Sequence, residues 1–210
     1  MIIYLVRHGE SKGNKENIHQ HTTTPLSNNG IKQAEALAER LKNTHFDLIY
    51  SSSSARAIET SEIINRKLNI KIESWDDLAE MKTPSEIRGK KVDDPEVVKI
   101  KKLIHKNFYK GNFRYSDEET FDELNKRVER VLKHLEDKHR DETVLVVSHS
   151  TFIKALVGRI IFEDEFTPRT LLKMRLHMWA NNTGITICEK HPKYGWQLNT
   201  WNDMTHLSLD

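Results

Sequence analysis

The sequence predicts an α/β fold, a three-layer α/β/α sandwich built around a mostly parallel central sheet. Three short runs are continuously apolar and rich in β-branched residues, as in strands that are covered on both faces. They are residues 2–6 (IIYLV), 46–51 (FDLIYS) and 143–147 (TVLVV). Stretches with helical periodicity separate these runs, and such an alternation favours a parallel sheet with helices on both faces.

Four helices are predicted from apolar residues that recur every three or four positions. The first follows an N-cap at Ser27, the second begins near Ser54, and the fourth begins after Ser150. The third, over residues 121–135, has the strongest periodicity. The apolar residues that define the four helices are Ala34, Leu37, Ala38 and Leu41; Ala57, Ile64 and Leu68; Phe121, Leu124, Val128, Val131 and Leu135; and Phe152, Ile153, Leu156 and Ile160.

The C-terminal part of the chain alternates between apolar and polar residues. Residues 171–179 (LLKMRLHMW), 184–190 (GITICEK) and 196–201 (WQLNTW) are therefore predicted as three strands. Turn residues in ANNTG and HPKYG separate them. These strands would extend the sheet beyond its parallel part.

The length of 210 residues allows one substantial hydrophobic core, and we predict a single domain over residues 1–210. Residues 81–117 are the least regular stretch. Because they lie inside the alternating pattern, we interpret them as an insertion or cap over one end of the sheet. With 37% hydrophobic and 30% charged residues, the composition is that of an ordinary globular protein.

Charge and cysteine content restrict the partners and the location. A net charge of +2 is too small to indicate nucleic acid binding. The apolar N-terminal run ends at Arg7, too early for a signal peptide or a membrane span, so no membrane association is expected. The single cysteine, Cys188, excludes an internal disulfide and fits a reducing compartment. The sequence thus predicts a cytoplasmic protein.

Two histidines directly follow apolar strands. Arg7 and His8 end the first strand, and His149 ends the third. The second strand leads into a helix that carries Arg56 in its first turn. Ligands of open α/β sheets bind beyond the carboxyl ends of the strands. We therefore expect these two arginines and two histidines to lie at one edge of the sheet.

This set of side chains suits phosphoryl transfer through a phosphohistidine. A neutral imidazole can attack phosphorus, while planar guanidinium groups match phosphate oxygens. Donors aimed in this way typically contribute about 3 kcal/mol each to transition-state stabilisation. The leaving oxygen also needs a proton, and Glu80 is the best candidate for the acid. Other acidic residues lie close to it in sequence: Asp76, Asp77 and Glu86.

Five stretches extend this interpretation to a family. They are RHGES followed by Asn14, then TPLSNNGIKQA, SSSSARAIETSEII, LAEMKTPSEIRGK and VVSHS. In this order, from Met1 to about Arg159, they resemble the histidine phosphatase superfamily, also called the phosphoglycerate-mutase-like family, in its phosphatase branch. A lone Arg-His-Gly would be a weak signal, whereas the five ordered stretches are specific.

The resemblance implies a role for each matching residue. His8 would be the phosphorylated nucleophile, and Glu80 would be the general acid that protonates the leaving oxygen. The phosphate pocket would contain Arg7, Ser11, Asn14, Arg56 and His149. Members of this branch need no metal or organic cofactor, so neither is expected here.

Three departures from the family pattern concern substrate contacts. Ser150 replaces the glycine that usually follows the second histidine, and its backbone N–H stays available for the substrate. His21, Thr22 and Thr23 lie where the family often has Gln-Gly and an acidic residue, so they are expected to contact substrate. After Glu80, MKTPSE replaces the His-Tyr-Gly of the mutases, which favours a phosphatase.

Three functions remain open at this point. They are a phosphomonoesterase, which leads, a mutase of the phosphoglycerate type, and an inactive module that binds phosphorylated ligands. The expected partner is a phosphorylated small molecule, with a phosphoprotein and a homodimer as alternatives. A second anionic group of the substrate could be bound by the basic residues Lys82, Lys90, Lys91 and Arg114, although a solvated surface is the expected role of most of them.

Overall fold

A mixed sheet of six strands forms the centre of the computed structural model, which describes residues 1–207. The strands are β1 (Ile2–Arg7), β2 (Leu48–Ser51), β3 (Ile72–Ser74), β4 (Thr143–Ser148), β5 (Ile185–His191) and β6 (Gly195–Asp203). Their order across the sheet is β3-β2-β4-β1-β5-β6. The first four in this order run parallel, and β5 and β6 are antiparallel to their neighbours. The predicted mostly parallel sheet is confirmed.

Helices cover both faces of this sheet. Their bounds are α1 (Lys12–Lys15), α2 (Asn28–Leu41), α3 (Ala55–Leu68), α4 (Pro95–Asn107), α5 (Phe121–Lys138), α6 (Ser150–Phe162) and α7 (Pro168–His177). One hydrophobic cluster joins α2 and α3 to one face, and a larger cluster joins α5, α6 and α7 to the other. This arrangement is the predicted three-layer sandwich.

The four predicted helices form where their caps and apolar stripes indicate. The Ser27 side chain accepts a hydrogen bond from the Gly30 N–H at 3.0 Å and so caps α2. Thr120 and Glu123 form a reciprocal capping box at the start of α5. The predicted stripe residues of α5, including Leu124 and Leu135, are fully buried.

The strand predicted at residues 171–179 is wrong, because residues 171–177 lie in helix α7 and the last two residues follow it. Thr167 caps the helix by accepting the Thr170 N–H at 3.2 Å, and Pro168 occupies its first turn, where no N–H is needed. Leu171 and Met174, one helical turn apart, are the buried residues of α7. The alternation of apolar and polar residues in this stretch therefore does not reflect a strand. The other two C-terminal strands are present as β5 and β6, whereas β3 was not predicted.

Residues 81–117 form a wall above the carboxyl edge of the sheet. Besides α4, the segment contains two short 3₁₀ helices, at Ser85–Ile87 and Phe108–Lys110. It has a small hydrophobic cluster of its own, with Ile87, Val97 and Ile100 buried.

Backbone hydrogen bonds tie this wall to the loop between α1 and α2. The His19 N–H donates to the Lys90 carbonyl at 2.9 Å, and the Gly89 N–H donates to the His19 carbonyl at 2.7 Å. The Val92 N–H donates to the Asn17 carbonyl at 2.9 Å. The loop and the wall are therefore joined like two strands of a short ribbon. Within residues 1–207, no helix combines the length and apolarity that a membrane span requires.

Candidate active site

His8, Arg56 and His149 meet at the carboxyl edge of the sheet. β1 delivers His8, whose N–H donates to the Ser148 carbonyl at 3.0 Å, and β4 delivers His149 as the N-cap residue of α6. Arg56 comes from the first turn of α3. The three side chains are only 3%, 6% and 0% exposed, in the order His8, Arg56, His149. The sequence prediction that these three residues share one edge is confirmed in space.

The Arg56 guanidinium lies between the two histidine rings. Its Nε donates to His8 Nε2 at 3.1 Å, and its Nη2 lies 3.2 Å from His149 Nδ1. Its Nη1 donates to the His21 carbonyl at 3.1 Å. Among residues 1–207 no carboxylate forms a salt bridge with Arg56, although it is buried. A buried cation is costly, the charge of Glu80 offsets part of that cost without direct contact, and an anion bound beside Arg56 would offset more of it.

The partners of the two rings determine their tautomers. Because the Gly9 carbonyl can only accept, His8 Nδ1 carries the proton and donates to it at 2.7 Å. His8 Nε2 is therefore unprotonated, and its lone pair accepts the Arg56 Nε–H. His149 Nδ1 accepts from Arg56, so its Nε2 carries the proton and donates to Ser52 Oγ at 2.8 Å.

Burial holds both histidines in the neutral form. The pKa of His8 lies well below 6.5 because its ring is buried, and the charges of Arg56 and Arg7 lower it further. The pKa of His149 is also well below 6.5, first through burial and then through the neighbouring His8 and Arg56. Burial also lowers the pKa of Arg56 to about 10, so it remains charged at neutral pH. The site thus combines an unprotonated imidazole with a fixed positive charge.

Arg7 brings a second guanidinium to the same site. Its Nη1 donates to the Ala180 carbonyl at 2.8 Å, while its buried Nε has no hydrogen-bond partner among the described residues. Burial lowers its pKa, and the charge of Glu80 opposes that change. An unsatisfied buried N–H of a cation is a donor that an anionic ligand can use.

The loop that holds His8 packs tightly on the start of α2. A Cβ built on Gly30 would lie 1.9 Å from the Glu10 carbonyl oxygen, and one on Gly9 would lie 2.6 Å from the Gly30 carbonyl oxygen. Only glycine allows this approach of two backbones. The approach fixes the backbone that directs the His8 ring.

Glu80 is held at the N-terminus of α6. Its carboxylate accepts the backbone N–H groups of Thr151 and Phe152, both at 3.1 Å, and that of Met81 at 2.9 Å. A helix N-terminus favours negative charge at this position. The backbone before Glu80 is anchored by Arg127, whose Nη1 donates to the Ala79 carbonyl at 2.8 Å. Glu80 thereby lies in the same cavity as His8.

The cavity at this edge has a volume of about 950 Å³, a size that fits a small-molecule ligand. Nine of the residues singled out from the sequence line it: Arg7, His8, Asn14, His21, Thr22, Arg56, Glu80, Lys82 and His149. Within residues 1–207, no group of three or more histidine, cysteine, aspartate or glutamate residues is arranged to hold a metal ion.

Three of the predicted substrate contacts do not line the cavity: Ser11, Thr23 and Ser150. Ser11 Oγ instead caps α1 by accepting the Asn14 N–H at 3.0 Å, and it donates to Gln20 at 2.6 Å. Thr23 is exposed in a turn. Lys82 does line the cavity, but its ammonium is paired with Asp117 at 3.1 Å.

Several residues of the site were not found from the sequence. Ser52 follows β2 and orients His149, while the Asn182 side-chain amide donates to the His8 carbonyl at 2.8 Å. Lys101 and Arg175 line the cavity from α4 and α7. The serine run after β2 was a weak signal for Ser52. No local pattern distinguished Lys101 or Arg175 from ordinary surface cations.

Fold and site together define a class of α/β proteins that gather two histidines and two arginines at the carboxyl edge of the sheet. The sequence model of the histidine phosphatase superfamily (branch 1) matches residues 3–204, so the chain belongs to this superfamily.

Relatives of full length carry names of phosphatases and of mutase-like proteins. The chain is 29% identical to an uncharacterized phosphatase, PhoE, of Bacillus subtilis, with 98% of this chain and 96% of that protein covered. It is 28% identical to phosphoglycerate mutase-like protein 4 of Arabidopsis thaliana, with 98% and 86% covered.

A solved structure shares the fold closely. Bacillus stearothermophilus YhfR superposes with a TM-score of 0.81 at 27% identity, covering 98% of both chains.

Proposed function

We propose that this protein is a metal-independent phosphatase that hydrolyses phosphomonoesters through a phosphohistidine on His8. The observation that carries this proposal is Arg56, a buried guanidinium between two neutral imidazoles, without a carboxylate partner among residues 1–207. A phosphoryl group supplies negative charge beside Arg56, and the unprotonated Nε2 of His8 is the adjacent nucleophile.

In the first step, His8 Nε2 attacks phosphorus and the ester P–O bond breaks. Arg56 transfers its hydrogen bond from His8 to a phosphoryl oxygen, while Arg7 uses its unpartnered Nε in the same way. The leaving oxygen takes a proton from Glu80. The products of this step are the alcohol, the phosphohistidine and the Glu80 carboxylate.

In the second step, the Glu80 carboxylate takes a proton from water. The water oxygen attacks phosphorus, and the bond between His8 Nε2 and phosphorus breaks. Inorganic phosphate leaves, His8 returns to its neutral form and Glu80 is protonated again. Every proton is thus returned within one turnover.

The names of relatives support a small phosphomonoester as substrate. The chain is 27% identical over 170 residues to the adenosylcobalamin/α-ribazole phosphatase of Escherichia coli. It is 25% identical to an Entamoeba histolytica phosphoserine phosphatase solved with 3-phosphoglyceric acid, at a TM-score of 0.77 and with 99% of both chains covered.

The main alternative is mutase-type transfer. It is favoured by a 29% identity over 192 residues to a 2,3-bisphosphoglycerate-dependent phosphoglycerate mutase of Brucella canis. A mutase must keep water away from the phosphohistidine between its two transfers.

We also propose that the protein acts in the cytoplasm on a phosphorylated small molecule. Its one cysteine, Cys188, is a buried free thiol whose pKa burial raises to about 12, so it is suited to packing and not to redox chemistry. A phosphoprotein substrate, a homodimer and an inactive phosphate-binding module remain the alternatives.

The test uses His8→Ala with His177→Ala as the matched control, because His177 is exposed on α7 and outside the cavity. Hydrolysis of p-nitrophenyl phosphate and acid-labile phosphate labelling of the protein should disappear in His8→Ala and persist in the control. A chelator should leave the wild-type rate unchanged. Retained hydrolysis in His8→Ala would overturn the proposal, and interconversion of 2- and 3-phosphoglycerate faster than hydrolysis would favour the mutase.

A further inference from the structure

A second group of basic side chains lines the cavity away from His8. Lys101 comes from α4, Arg175 from α7, and His19 from the loop between α1 and α2. These elements are far apart in sequence and belong to different parts of the fold. Their side chains nevertheless face the same space.

These cations lack the partners that neighbouring cations have. In the same wall, Lys82 and Arg88 both pair with Asp117, at 3.1 and 2.9 Å. No salt bridge within residues 1–207 includes Lys101 or Arg175. Within residues 1–207, Lys101 and Lys102 of the wall and Arg175 of α7 thus line the cavity without a salt bridge, whereas Lys82 and Arg88 are paired.

The unpaired charges act on one another. Burial and the charge of Arg175 both lower the pKa of Lys101. Burial and the charge of Lys101 likewise lower the pKa of His19. The Nε2 atom of His19 is buried and has no hydrogen-bond partner among the described residues. Lys101 and Arg175 are like charges that face one cavity, and an anion bound between them would reduce their repulsion.

Arg175 lies beside an aromatic ring of the cavity and interacts with the charge of Glu80. Its guanidinium carbon is 5.8 Å from the centroid of the Phe108 ring, a cation–π distance. Although Arg175 opens to the cavity, the protein around it lowers its pKa, and the charge of Glu80 raises it. Arg175 is thus within electrostatic reach of Glu80.

An apolar surface lines the rest of this space. Ile87, Val98, Ile104 and Leu172 line the cavity together with Phe108. A cavity of about 950 Å³ is far larger than a phosphate group needs, and an apolar wall favours a hydrocarbon or ring as the body of the ligand.

We propose that His19, Lys101 and Arg175 form a second anion subsite, and that the substrate is a phosphomonoester whose far end carries a carboxylate or a second phosphate. This proposal rests on the proposed phosphatase function, because the phosphoryl group is taken to bind at His8. The ester body lies along the apolar wall between the two sites. The second subsite selects among phosphomonoesters, and the first performs the chemistry.

The kinetic test compares alkyl phosphates that end in a methyl group with ω-carboxy analogues and α,ω-bisphosphates of equal chain length. Each is assayed with wild type, Arg175→Gln and Lys101→Gln. Matched controls are Arg169→Gln on α7 and Lys99→Gln on α4, both exposed and outside the cavity.

The readout is the ratio of kcat/KM for the anionic-ended substrate to that for the methyl-ended one. We expect a wild-type ratio well above one, a roughly tenfold fall of this ratio in each cavity variant, and no change in the controls. Whether the carboxylate or the bisphosphate series shows the larger effect identifies the second anion. A wild-type ratio near one, or equal ratios in wild type and cavity variants, would overturn the subsite.

A binding measurement keeps this test separate from the test of the phosphatase function. Calorimetric titration compares an alkyl phosphonate with the α,ω-bisphosphonate of the same length, which needs no turnover. If the bisphosphonate binds wild type more tightly and Arg175→Gln loses that difference, the subsite stands even for a protein without hydrolytic activity. If both phosphonates bind wild type equally, the subsite is wrong even when His8-dependent hydrolysis is present.

Discussion

Replacing Arg56 with methionine should remove the response of the protein to phosphate while costing little stability in its absence. The lowering of the Arg56 pKa from 12.5 to about 10 corresponds to about 3 kcal/mol of unfavourable free energy for holding the cation in the fold. Because the folded pKa is the lower one, this cost is present at every pH below about 10. Arg56→Met relieves it.

The same substitution also removes three hydrogen bonds. His8 Nε2 and His149 Nδ1 lose their donor, which costs about 1 to 3 kcal/mol for each acceptor that stays buried and unsatisfied, whereas the His21 carbonyl keeps the Thr24 N–H at 3.2 Å. The two effects have opposite signs and similar size. We therefore expect the ligand-free variant to unfold within a few °C of wild type.

Wild type and Arg56→Met should differ in how much a bound anion raises their Tm. A ligand at about 100 times its Kd stabilises a protein by about 2.7 kcal/mol. For a chain of this size, that stabilisation raises Tm by roughly 5 to 10 °C. Wild type should show this rise with orthovanadate or phosphate, and Arg56→Met should not.

The assay is differential scanning calorimetry of both proteins over a series of anion concentrations. Arg66→Met, an exposed arginine on the same helix, is the control and should respond like wild type. An equal rise of Tm in Arg56→Met and wild type would refute the assignment of Arg56 as the main anion-binding group. A large loss of ligand-free stability would refute the claim that the fold holds this cation at a cost.

Four further predictions concern proton transfer, the pH dependence of stability, and packing. Because the pKa of His8 lies below 6.5, kcat/KM for a substrate of fixed ionisation should show no falling limb near pH 6.5, and an NMR titration that protonates His8 there would contradict this. The lowered pKa values of His8 and His149 also mean that the unfolded chain binds more protons below pH 6.5, so urea denaturation should show stability falling as the pH drops below that value. Glu80→Gln keeps one acceptor oxygen for the backbone N–H groups at α6 and puts an NH2 donor in place of the other, and it should lose roughly 100-fold in kcat for alkyl phosphates and much less for p-nitrophenyl phosphate, whose leaving group needs little protonation; equal losses for both substrates would speak against an acid role. Gly30→Ala should destabilise the protein by about 1 to 3 kcal/mol in thermal unfolding, because its Cβ would overlap the Glu10 carbonyl oxygen, and an unchanged Tm would show that this backbone approach is not needed.

The sequence predicted those parts of the fold in which local pattern and final environment agree. The stripe of α5 and the continuous apolar run of β4 are buried in the structure as their patterns require. The strand prediction for residues 171–179 failed because the apolar residues of this stretch fit both helical and alternating spacing. The Thr167-Pro168 start signal, which resolves that ambiguity, lay outside the alternating stretch.

The residues of the candidate site also fall into two groups, those that the sequence predicted and those that it did not. His8, His149 and Arg56 follow strand ends, and the topology of a parallel sheet brings such positions together without further information. Lys101 and Arg175 depend on how α4 and α7 pack over the cavity, which no periodicity in the sequence encodes. Ser11 was placed near the phosphate by motif alone, whereas its hydroxyl is used in a helix cap.

Hydrogen bonds between the α1–α2 loop and the wall of residues 81–117 connect one side of the cavity to the position of Arg56. In this loop, the His21 carbonyl accepts a hydrogen bond from Arg56 Nη1 at 3.1 Å. Two residues earlier, the backbone N–H and carbonyl of His19 are both hydrogen-bonded to the wall. We therefore expect a change in the length of the wall to shift the His21 carbonyl and, with it, the hydrogen bond that this carbonyl accepts from Arg56. Residues 17–23 and 81–117 should accordingly be exchanged together when the wall is exchanged between relatives.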